Sequence, residues 1–307
     1  MDWAPGMRTF IDRFTAALPP DFYTRPLAQA RALYENLGTV FPYEVPAGVR
    51  VTDEEVTGNG RRLRIRVYRP EHIAGRGLLV YIRGGGFVIG SLATLHPLVA
   101  ELAANTGLVT VALDFRMAPE HPFPAGLEDC YDALCGIAAD TGRFGADPDR
   151  IVLAGDSSGA NMAVALCMMT RDRGAPRPRG QALICPVLDF RRWREGGADA
   201  PLLTGGEMEF FTACYCPDPE QTRHPYVSPL ISGTFHDLPP AYIVGTELDS
   251  LVVDARLYAA KLRDSGVEAR LTVAPGLPHA PLRARALSPA SAALWQTFCA
   301  ETARLTG

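Results

Sequence analysis

The sequence predicts an α/β protein with a mostly parallel central sheet, helices on both faces and a helical cap. From residue 78 onward, strand-like and helix-like segments alternate, which is typical of parallel strands joined by helices. One strand-like segment, residues 151–154, passes through a G-x-S-x-G turn directly into an apolar, helix-forming segment. The interruption at residues 188–238 contains no strand-like run and is too long for an ordinary loop, so we expect a lid there.

The chain begins with two predicted helices and a β-hairpin. Residues 8–18 and 26–37 show amphipathic patterns and are separated by two prolines. Polarity then alternates over residues 49–56 and 63–68, on either side of a Gly-Asn-Gly turn. That pattern predicts two antiparallel strands joined by a tight turn.

The remaining segments are divided between predicted strands and predicted helices. The strands are expected at residues 78–82, 108–113, 151–154, 182–185, 241–244 and 269–273. The helices are expected at residues 95–105, 125–139, 160–169, 205–215, 251–265 and 289–304. We therefore assign cap helices to residues 1–45, the two parts of the α/β core to residues 46–187 and 239–307, and a cap or lid insertion to residues 188–238.

Composition and charge narrow the class of protein. The 307 residues are 47% hydrophobic and 21% charged, which suits a large buried core, and the net charge of −4 argues against a nucleic-acid partner. The seven cysteines are mostly within apolar runs, and Cys214 and Cys216 lack the neighbouring ligands of a zinc site. No apolar run is long enough to span a membrane. We expect a soluble protein of a reducing cytoplasm, without a metal or cofactor.

Ser157 is the predicted nucleophile. It is the central residue of Gly155-Asp156-Ser157-Ser158-Gly159, between a buried strand and a helix. A sharp strand-to-helix turn holds the central side chain out at the carboxyl edge of the sheet, and the flanking glycines leave room for the turn. The N–H that follows lies at a helix N-terminus, whose dipole favours negative charge. A Gly- and Ser-rich turn without chemistry is the alternative, and the strand and helix context argues against it.

The predicted base is His279. Of the six histidines it alone lies in a loop directly after a late strand, and we interpret the other five as solvated or core residues. The predicted acid is Asp249, in the loop after residues 241–244; Glu247 is its rival, and Asp254 falls within the next helix. A nucleophilic serine needs a base, and the base an orienting acid. The chain order serine, aspartate, histidine is the one expected of the α/β-hydrolase fold.

A run of glycines follows the predicted strand at residues 78–82, and it is a candidate for the oxyanion hole that a serine-based site also needs. Residues 84–87 read Gly-Gly-Gly-Phe, and glycines let backbone N–H groups turn into a site without obstruction by side chains. A phosphate-binding loop is the alternative. The chain has no G-K-[ST] and no G-x-G-x-x-G at this position, so we favour an oxyanion hole.

Together these motifs resemble the hormone-sensitive-lipase family of α/β-hydrolase esterases, over roughly residues 60 to 300. Residues 84–87 resemble the H-G-G-G-F loop of that family, and residues 115–120 its Y-R-L-A-P-E box. Residues 155–159 resemble G-D-S-A-G, and residues 247–254 resemble the acid motif D-P-L-x-D, which supports Asp249 over Glu247.

The resemblance implies that the oxyanion donors are the backbone N–H groups of Gly85, Gly86 and Ser158. It also implies that the N-terminal helices and part of residues 188–238 cover the acyl and alcohol pockets. Two positions depart from the family pattern: Arg83 stands where the family has histidine, and Ala93 where many members have aspartate.

Arg83 and Phe87 are the candidate substrate-binding residues. Phe87 is expected to form part of the pocket wall. Arg83 has two interpretations. Its guanidinium either points away from the substrate and keeps only the hydrogen-bonding role of the family histidine, or faces the pocket and favours an anionic ester.

The function predicted from these residues is hydrolysis of small, short-acyl esters by a serine carboxylesterase or acetyl-ester hydrolase. An acyltransferase on the same scaffold is the first alternative, since a second alcohol could replace water. A non-catalytic receptor is the second, and the complete set of Ser157, Asp249 and His279 argues against it. The predicted partner is a small-molecule ester, and a homodimer is among the assemblies that the sequence allows.

Overall fold

An eight-stranded sheet forms the centre of the protein. The computed structural model describes residues 2–194 and 197–307. The strand order across the sheet is β1-β2-β4-β3-β5-β6-β7-β8; β1 and β2 are antiparallel to their neighbours, and β3 to β8 are mutually parallel. The strands are β1 (Val49–Gly58), β2 (Arg61–Pro70), β3 (Leu78–Ile82), β4 (Val109–Leu113), β5 (Ile151–Asp156), β6 (Gly180–Ile184), β7 (Ala241–Thr246) and β8 (Ala269–Ala274). The predicted fold class, including the hairpin and the mostly parallel sheet, is confirmed.

Helices cover both faces of this sheet. In chain order they are α1 (Met7–Ala17), α2 (Leu27–Val40), α3 (His96–Thr106), α4 (Ala125–Ala139), α5 (Ser158–Arg173), α6 (Gly205–Tyr215), α7 (Val252–Asp264) and α8 (Pro289–Arg304). Among residues 2–194 and 197–307, none of these helices has both the length and the apolar character needed to cross a lipid bilayer.

The direction of each strand connection explains how the helices are distributed. The connection β3–α3–β4 runs toward β1, whereas β4–α4–β5 runs toward β8. Because such connections are right-handed, α3 and α4 lie on opposite faces. Helix α8 packs beside α3, and α5 beside α4. The central strands are therefore covered on both sides, which is why β3 and β4 are buried along their whole length.

The reversal of strand order also determines where a site can form. It occurs at β3, which lies between β4 and β5. In open α/β sheets, ligands bind at the carboxyl ends of the strands beside such a switch point. The glycine-rich loop follows β3 and Ser157 follows β5, so the two predicted loops lie side by side.

The two segments that the sequence assigns to a cap contact each other. Phe22, in the short turn between α1 and α2, packs against Phe211 of α6, with ring centroids 6.3 Å apart. Tyr23 and Phe210 form a second aromatic contact between the same segments at 5.9 Å. The predicted lid, residues 188–238, includes Glu195 and Gly196, which lie outside the described residues.

Candidate active site

Ser157 occupies the single position between β5 and α5. Its backbone φ of 52° and ψ of −118° lie outside the regions that most side chains adopt, and its N–H donates to the carbonyl of Ile184 at 2.8 Å. A side chain at Gly159 would come within 2.0 Å of the Ile82 carbonyl oxygen, so glycine is required where α5 crosses β3. The strand and helix are longer than the sequence predicts, and only the serine remains in the turn.

The structure brings Ser157, His279 and Asp249 into one hydrogen-bonded chain. The Ser157 Oγ lies 3.1 Å from Nε2 of His279, and Nδ1 of the same ring lies 2.8 Å from Oδ2 of Asp249. Asp249 and His279 are buried, while Ser157 is partly exposed to the cavity beside it. Asp249 also accepts the Leu251 N–H at 3.0 Å, which fixes the carboxylate in place. This is the geometry in which an imidazole can remove the proton of a serine hydroxyl.

The charges around His279 change its pKa. Burial is the largest single influence and lowers the pKa, but the nearby carboxylates, above all that of Asp249, together outweigh burial and raise the pKa above the ordinary 6.5. Asp156 and Glu207 act in the same direction from further away. The result is a stronger base than a free imidazole, held in an orientation set by its partner.

The two rival acids have other partners. Glu247 accepts the Gly276 N–H at 2.8 Å, in the loop that carries the histidine. Asp254 is fully buried on α7, where it accepts the Leu188 N–H at 2.7 Å and faces Nη2 of Arg192 at 2.6 Å. Burial raises the pKa of Asp254 to about 6. Both carboxylates anchor loops rather than contact the imidazole.

Three backbone N–H groups are candidates to bind an oxyanion. Gly85 and Gly86 adopt φ values of 121° and 58°, and among the described residues neither N–H group donates to a protein acceptor. Ser158 is the first residue of α5, where N–H groups have no partner within the helix. All three residues line the cavity that contains Ser157. A carbonyl oxygen that becomes negative there would meet unpaired donors and the N-terminus of a helix.

Asp156 joins the two loops that carry these groups. Its Oδ1 accepts the Tyr81 hydroxyl at 2.8 Å and the Gly84 N–H at 2.9 Å. The sequence motif contains this aspartate, but its spacing does not reveal its partners. The contact ties the glycine-rich loop to the serine turn, so the N–H donors and the hydroxyl are positioned together.

The cavity beside Ser157 has a volume of about 790 Å³, including its open mouth. Phe87 forms part of its wall, as the sequence predicts, and stacks on Tyr215 of α6 with ring centroids 3.7 Å apart. The remaining lining is mostly apolar, and the segments that the sequence assigns to a cap contribute to it Phe14, Leu18, Phe22, Leu203, Met208 and Phe211.

Arg83 is not among the residues that line this cavity. Its guanidinium lies 4.2 Å from the ring centroid of Phe115, within the protein. Burial lowers the pKa of this side chain. The structure thus separates the Arg83 guanidinium from the residues around Ser157, as the first interpretation expects. Its Nε and Nη1 atoms are enclosed without a hydrogen-bond partner among the described residues, so the hydrogen-bonding role in that interpretation is not seen.

Three polar residues of the cavity were not singled out from the sequence. Cys185 has a φ of 47°, and its Sγ, an oxygen of Asp249 and a ring nitrogen of His279 lie within 4.8 Å of one another. Glu207 caps α6 through the Thr204 N–H, which it accepts at 2.7 Å. Arg283 lies four residues after the histidine, in the short helix Pro281–Ala284. Only tertiary structure brings these side chains to the cavity, because each lies in an otherwise unremarkable local pattern.

Comparison with known proteins agrees with this architecture. A family model described as the α/β hydrolase fold matches residues 79–283. Carboxylesterase NlhH of Mycobacterium tuberculosis is 33% identical over 272 residues, which cover 86% of this chain and 84% of the relative. Ethyl acetate hydrolase of Pseudomonas putida is 32% identical over 231 residues, covering 73% of this chain and 72% of that enzyme.

A solved structure supports the same assignment. The hyperthermophilic esterase of the archaeon Pyrobaculum calidifontis superposes with a TM-score of 0.89 at 31% identity, and the match covers 99% of each chain. Both sequence relatives and this structural neighbour are named as ester hydrolases, and each match covers most of both chains. The chain therefore belongs to the hormone-sensitive-lipase family of α/β-hydrolase esterases, and it is a carboxylic ester hydrolase.

Proposed function

We propose that the chain hydrolyses small, short-acyl esters through an acyl-enzyme intermediate at Ser157. The observation that carries the proposal is the hydrogen-bonded series Ser157, His279, Asp249 at the edge of a cavity that also exposes unpaired N–H groups. A nucleophile, a base, an orienting acid and oxyanion donors are the parts that acyl transfer requires.

The proposed reaction has two halves. The Ser157 Oγ attacks the ester carbonyl carbon while Nε2 of His279 takes the hydroxyl proton, and the carbonyl oxygen becomes an oxyanion held by the N–H groups of Gly85, Gly86 and Ser158. When the intermediate collapses, the bond to the alcohol oxygen breaks, and His279 gives its proton to that oxygen. Water then attacks the acyl-enzyme, with His279 removing its proton and returning one to Ser157 as the acid leaves.

The size of the cavity supports a small substrate. Phe87 and Tyr215 stack at one wall, and the cap residues Phe22 and Phe211 meet over the site. We propose that residues 1–45 and 188–238 act as the cap, and that this cap favours acetyl to hexanoyl esters. The relative named for ethyl acetate hydrolysis is consistent with a short acyl group.

We also propose a cytoplasmic location and a homodimer. All seven cysteines are free, as is usual in a reducing compartment.

Strand β8 is an edge strand paired only with β7, so its outer edge is available to a second copy. Sedimentation of the purified protein would test the dimer.

The test is hydrolysis of p-nitrophenyl acetate by the parent protein and by Ser157→Ala. We expect kcat/KM to fall by about a thousandfold or more, because the other groups cannot replace the nucleophile. Ser265→Ala, at the opposite end of α7 from Asp249, is the matched control and should match the parent. Retention of activity within tenfold in Ser157→Ala would show that the mechanism is wrong.

Product analysis separates hydrolysis from acyl transfer. With ethanol added as a competing alcohol, a hydrolase releases mainly acetate, whereas an acyltransferase releases mainly ethyl acetate. Predominant ethyl acetate at low ethanol concentration would favour the transferase.

A further inference from the structure

Arg283 is a buried cation at the wall of the catalytic cavity. Its exposed fraction is 7%, and its Nη2 atom is enclosed without a hydrogen-bond partner. Among the described residues, no acceptor receives a hydrogen bond from its guanidinium, and no carboxylate lies within 4.0 Å of it. Arg283 lines the cavity of Ser157 and also an adjoining cavity of about 350 Å³, a volume that includes its open mouth. The ring centroid of Tyr34 lies 5.4 Å from its guanidinium carbon.

The other buried arginines nearby have partners or lie elsewhere. Arg285 is half-buried, and it forms a two-pronged ion pair with Glu101, with N–O distances of 2.7 and 2.6 Å. Arg83 also has two enclosed nitrogen atoms without hydrogen-bond partners, but it stacks on Phe115 and does not line the cavity. Burying most of a guanidinium without an anionic partner is costly, because the group loses much of its hydration and gains no ion pair. At Arg283 the cavity leaves room for such a partner.

The two carboxylates of the cavity do not supply that partner directly. Asp156 is engaged with Tyr81 and Gly84, and Glu207 with the Thr204 N–H. Their negative charges also limit which anion can enter. A singly charged, planar carboxylate matches the guanidinium fork and meets less repulsion than a dianionic phosphate would.

We propose that Arg283 binds a carboxylate of the substrate, so that the preferred esters carry a free carboxylate as well as the scissile ester. The proposal rests on the function proposed above and narrows its substrate class to half-esters of dicarboxylic acids and acyl esters of hydroxy acids. Arg283 would determine specificity without taking part in the bond changes at Ser157.

The test compares matched anionic and neutral esters. Mono-p-nitrophenyl adipate and p-nitrophenyl hexanoate differ by a carboxylate on the acyl side, and 4-acetoxybenzoate and its methyl ester differ on the alcohol side. For each pair, the anionic-to-neutral ratio of kcat/KM is measured in the parent, Arg283→Met, Arg283→Lys and Arg285→Met. We expect the parent to prefer the anionic member of at least one pair.

In that pair, Arg283→Met should lower the ratio about tenfold to a hundredfold, since a charge-assisted, two-pronged contact is lost. Arg283→Lys should lose part of the preference, because lysine keeps the positive charge but lacks the two parallel N–H donors of the guanidinium. Arg285→Met, two residues away, should keep the parental ratio.

An unchanged ratio in Arg283→Met, or a parental ratio of one or less in both pairs, would overturn the assignment. The ratio in the parent is measured without any variant, so a value of one or less in both pairs overturns the assignment even if Arg283→Met fails to fold. Hydrolysis of neutral esters without any preference for a carboxylate would remove this inference and leave the proposed function in place. Failure of the parent to hydrolyse either member of either pair would remove both.

Discussion

At the scale of single residues, Ser157 has a strained backbone conformation that its neighbours impose. A non-glycine residue with positive φ costs on the order of 1–3 kcal/mol, and such conformations persist only where the surroundings impose them. Here the N–H bond to Ile184 and the close crossing at Gly159 impose it. The result is a hydroxyl held toward His279 at the start of α5, where the helix dipole and the free Ser158 N–H both favour a developing oxyanion.

The pKa of His279 sets the first prediction. A general base must be unprotonated, so kcat/KM for p-nitrophenyl acetate should rise with pH through an apparent pKa above 6.5, because Asp249 holds the pKa of the imidazole up. Asp249→Asn should lower kcat by roughly 10⁴, as expected when the base loses its orienting acid. Its residual activity should also show an acidic limb shifted to lower pH.

The control for this profile is Glu247→Gln, which alters a loop carboxylate that contacts Gly276 rather than the imidazole. Its acidic limb should stay where the parent has it. A limb that Asp249→Asn does not move would contradict the assigned electrostatic role of Asp249.

At the scale of elements, α2 is tied to the loops around the site by Arg31. Its guanidinium donates to the carbonyls of Val88 and Ala118 at 2.9 and 3.1 Å, and to both carboxylate oxygens of Glu120 at 2.7 and 2.8 Å. The hydrogen bonds from Arg31 to the Glu120 carboxylate lower the pKa of Glu120 to about 2. Val88 follows the glycine-rich loop directly, so the Arg31 side chain connects α2 to the loop that carries the N–H groups of Gly85 and Gly86.

We predict that Arg31→Met loosens this attachment. The two carbonyl bonds and the half-exposed ion pair together should contribute about 1–2 kcal/mol, since solvent screens the pair with Glu120. The melting temperature should drop by a few degrees, and kcat/KM should fall with it. Differential scanning calorimetry and p-nitrophenyl acetate kinetics measure the two effects.

Arg25→Met is the matched control, because the one ion pair of Arg25 within residues 2–194 and 197–307 is with the exposed Asp21 at 3.9 Å, in the same N-terminal segment. We expect neither quantity to change in it. A parental melting temperature in Arg31→Met would mean that the contact does not hold α2 in place.

The sequence predicts elements better than it predicts side-chain surroundings. Helices such as Ala125–Ala139 and Gly205–Tyr215 lie where the apolar pattern puts them, because periodicity reports directly on which face is buried. The ends of β5 and α5 extend further than predicted, since the turn is held by tertiary contacts at Gly159. The direction of Arg83 and the approach of Arg283 to the cavity depend on packing between distant segments, which no local pattern records.

At the scale of the whole molecule, the cap segments and the sheet enclose the site together. The candidate catalytic groups come from the loops after β3, β5, β7 and β8, and part of the apolar wall of the cavity comes from α1 and α6. Residues far apart in the chain therefore determine which substrates fit.

This enclosure predicts a short-chain preference. Among p-nitrophenyl esters from acetyl to palmitoyl, kcat/KM should be highest between acetyl and hexanoyl, because Phe211 and other bulky apolar side chains line the cavity and limit the length of the acyl group. Phe211→Ala should move the optimum to longer acyl groups. Phe210→Ala, in the adjacent residue that does not line the cavity, should leave the optimum unchanged. Faster hydrolysis of palmitoyl than of butyryl esters by the parent would contradict the prediction.

The nucleophilic role of Ser157 is tested most directly by stoichiometric labelling. Diethyl p-nitrophenyl phosphate transfers a diethylphosphoryl group to an activated serine and releases p-nitrophenolate, which is counted by its absorbance. We predict one p-nitrophenolate per chain, loss of esterase activity in step with its release, and a single adduct that peptide mass spectrometry locates on Ser157. Ser157→Ala should release none. An adduct on another residue, or equal release from Ser157→Ala, would contradict the account.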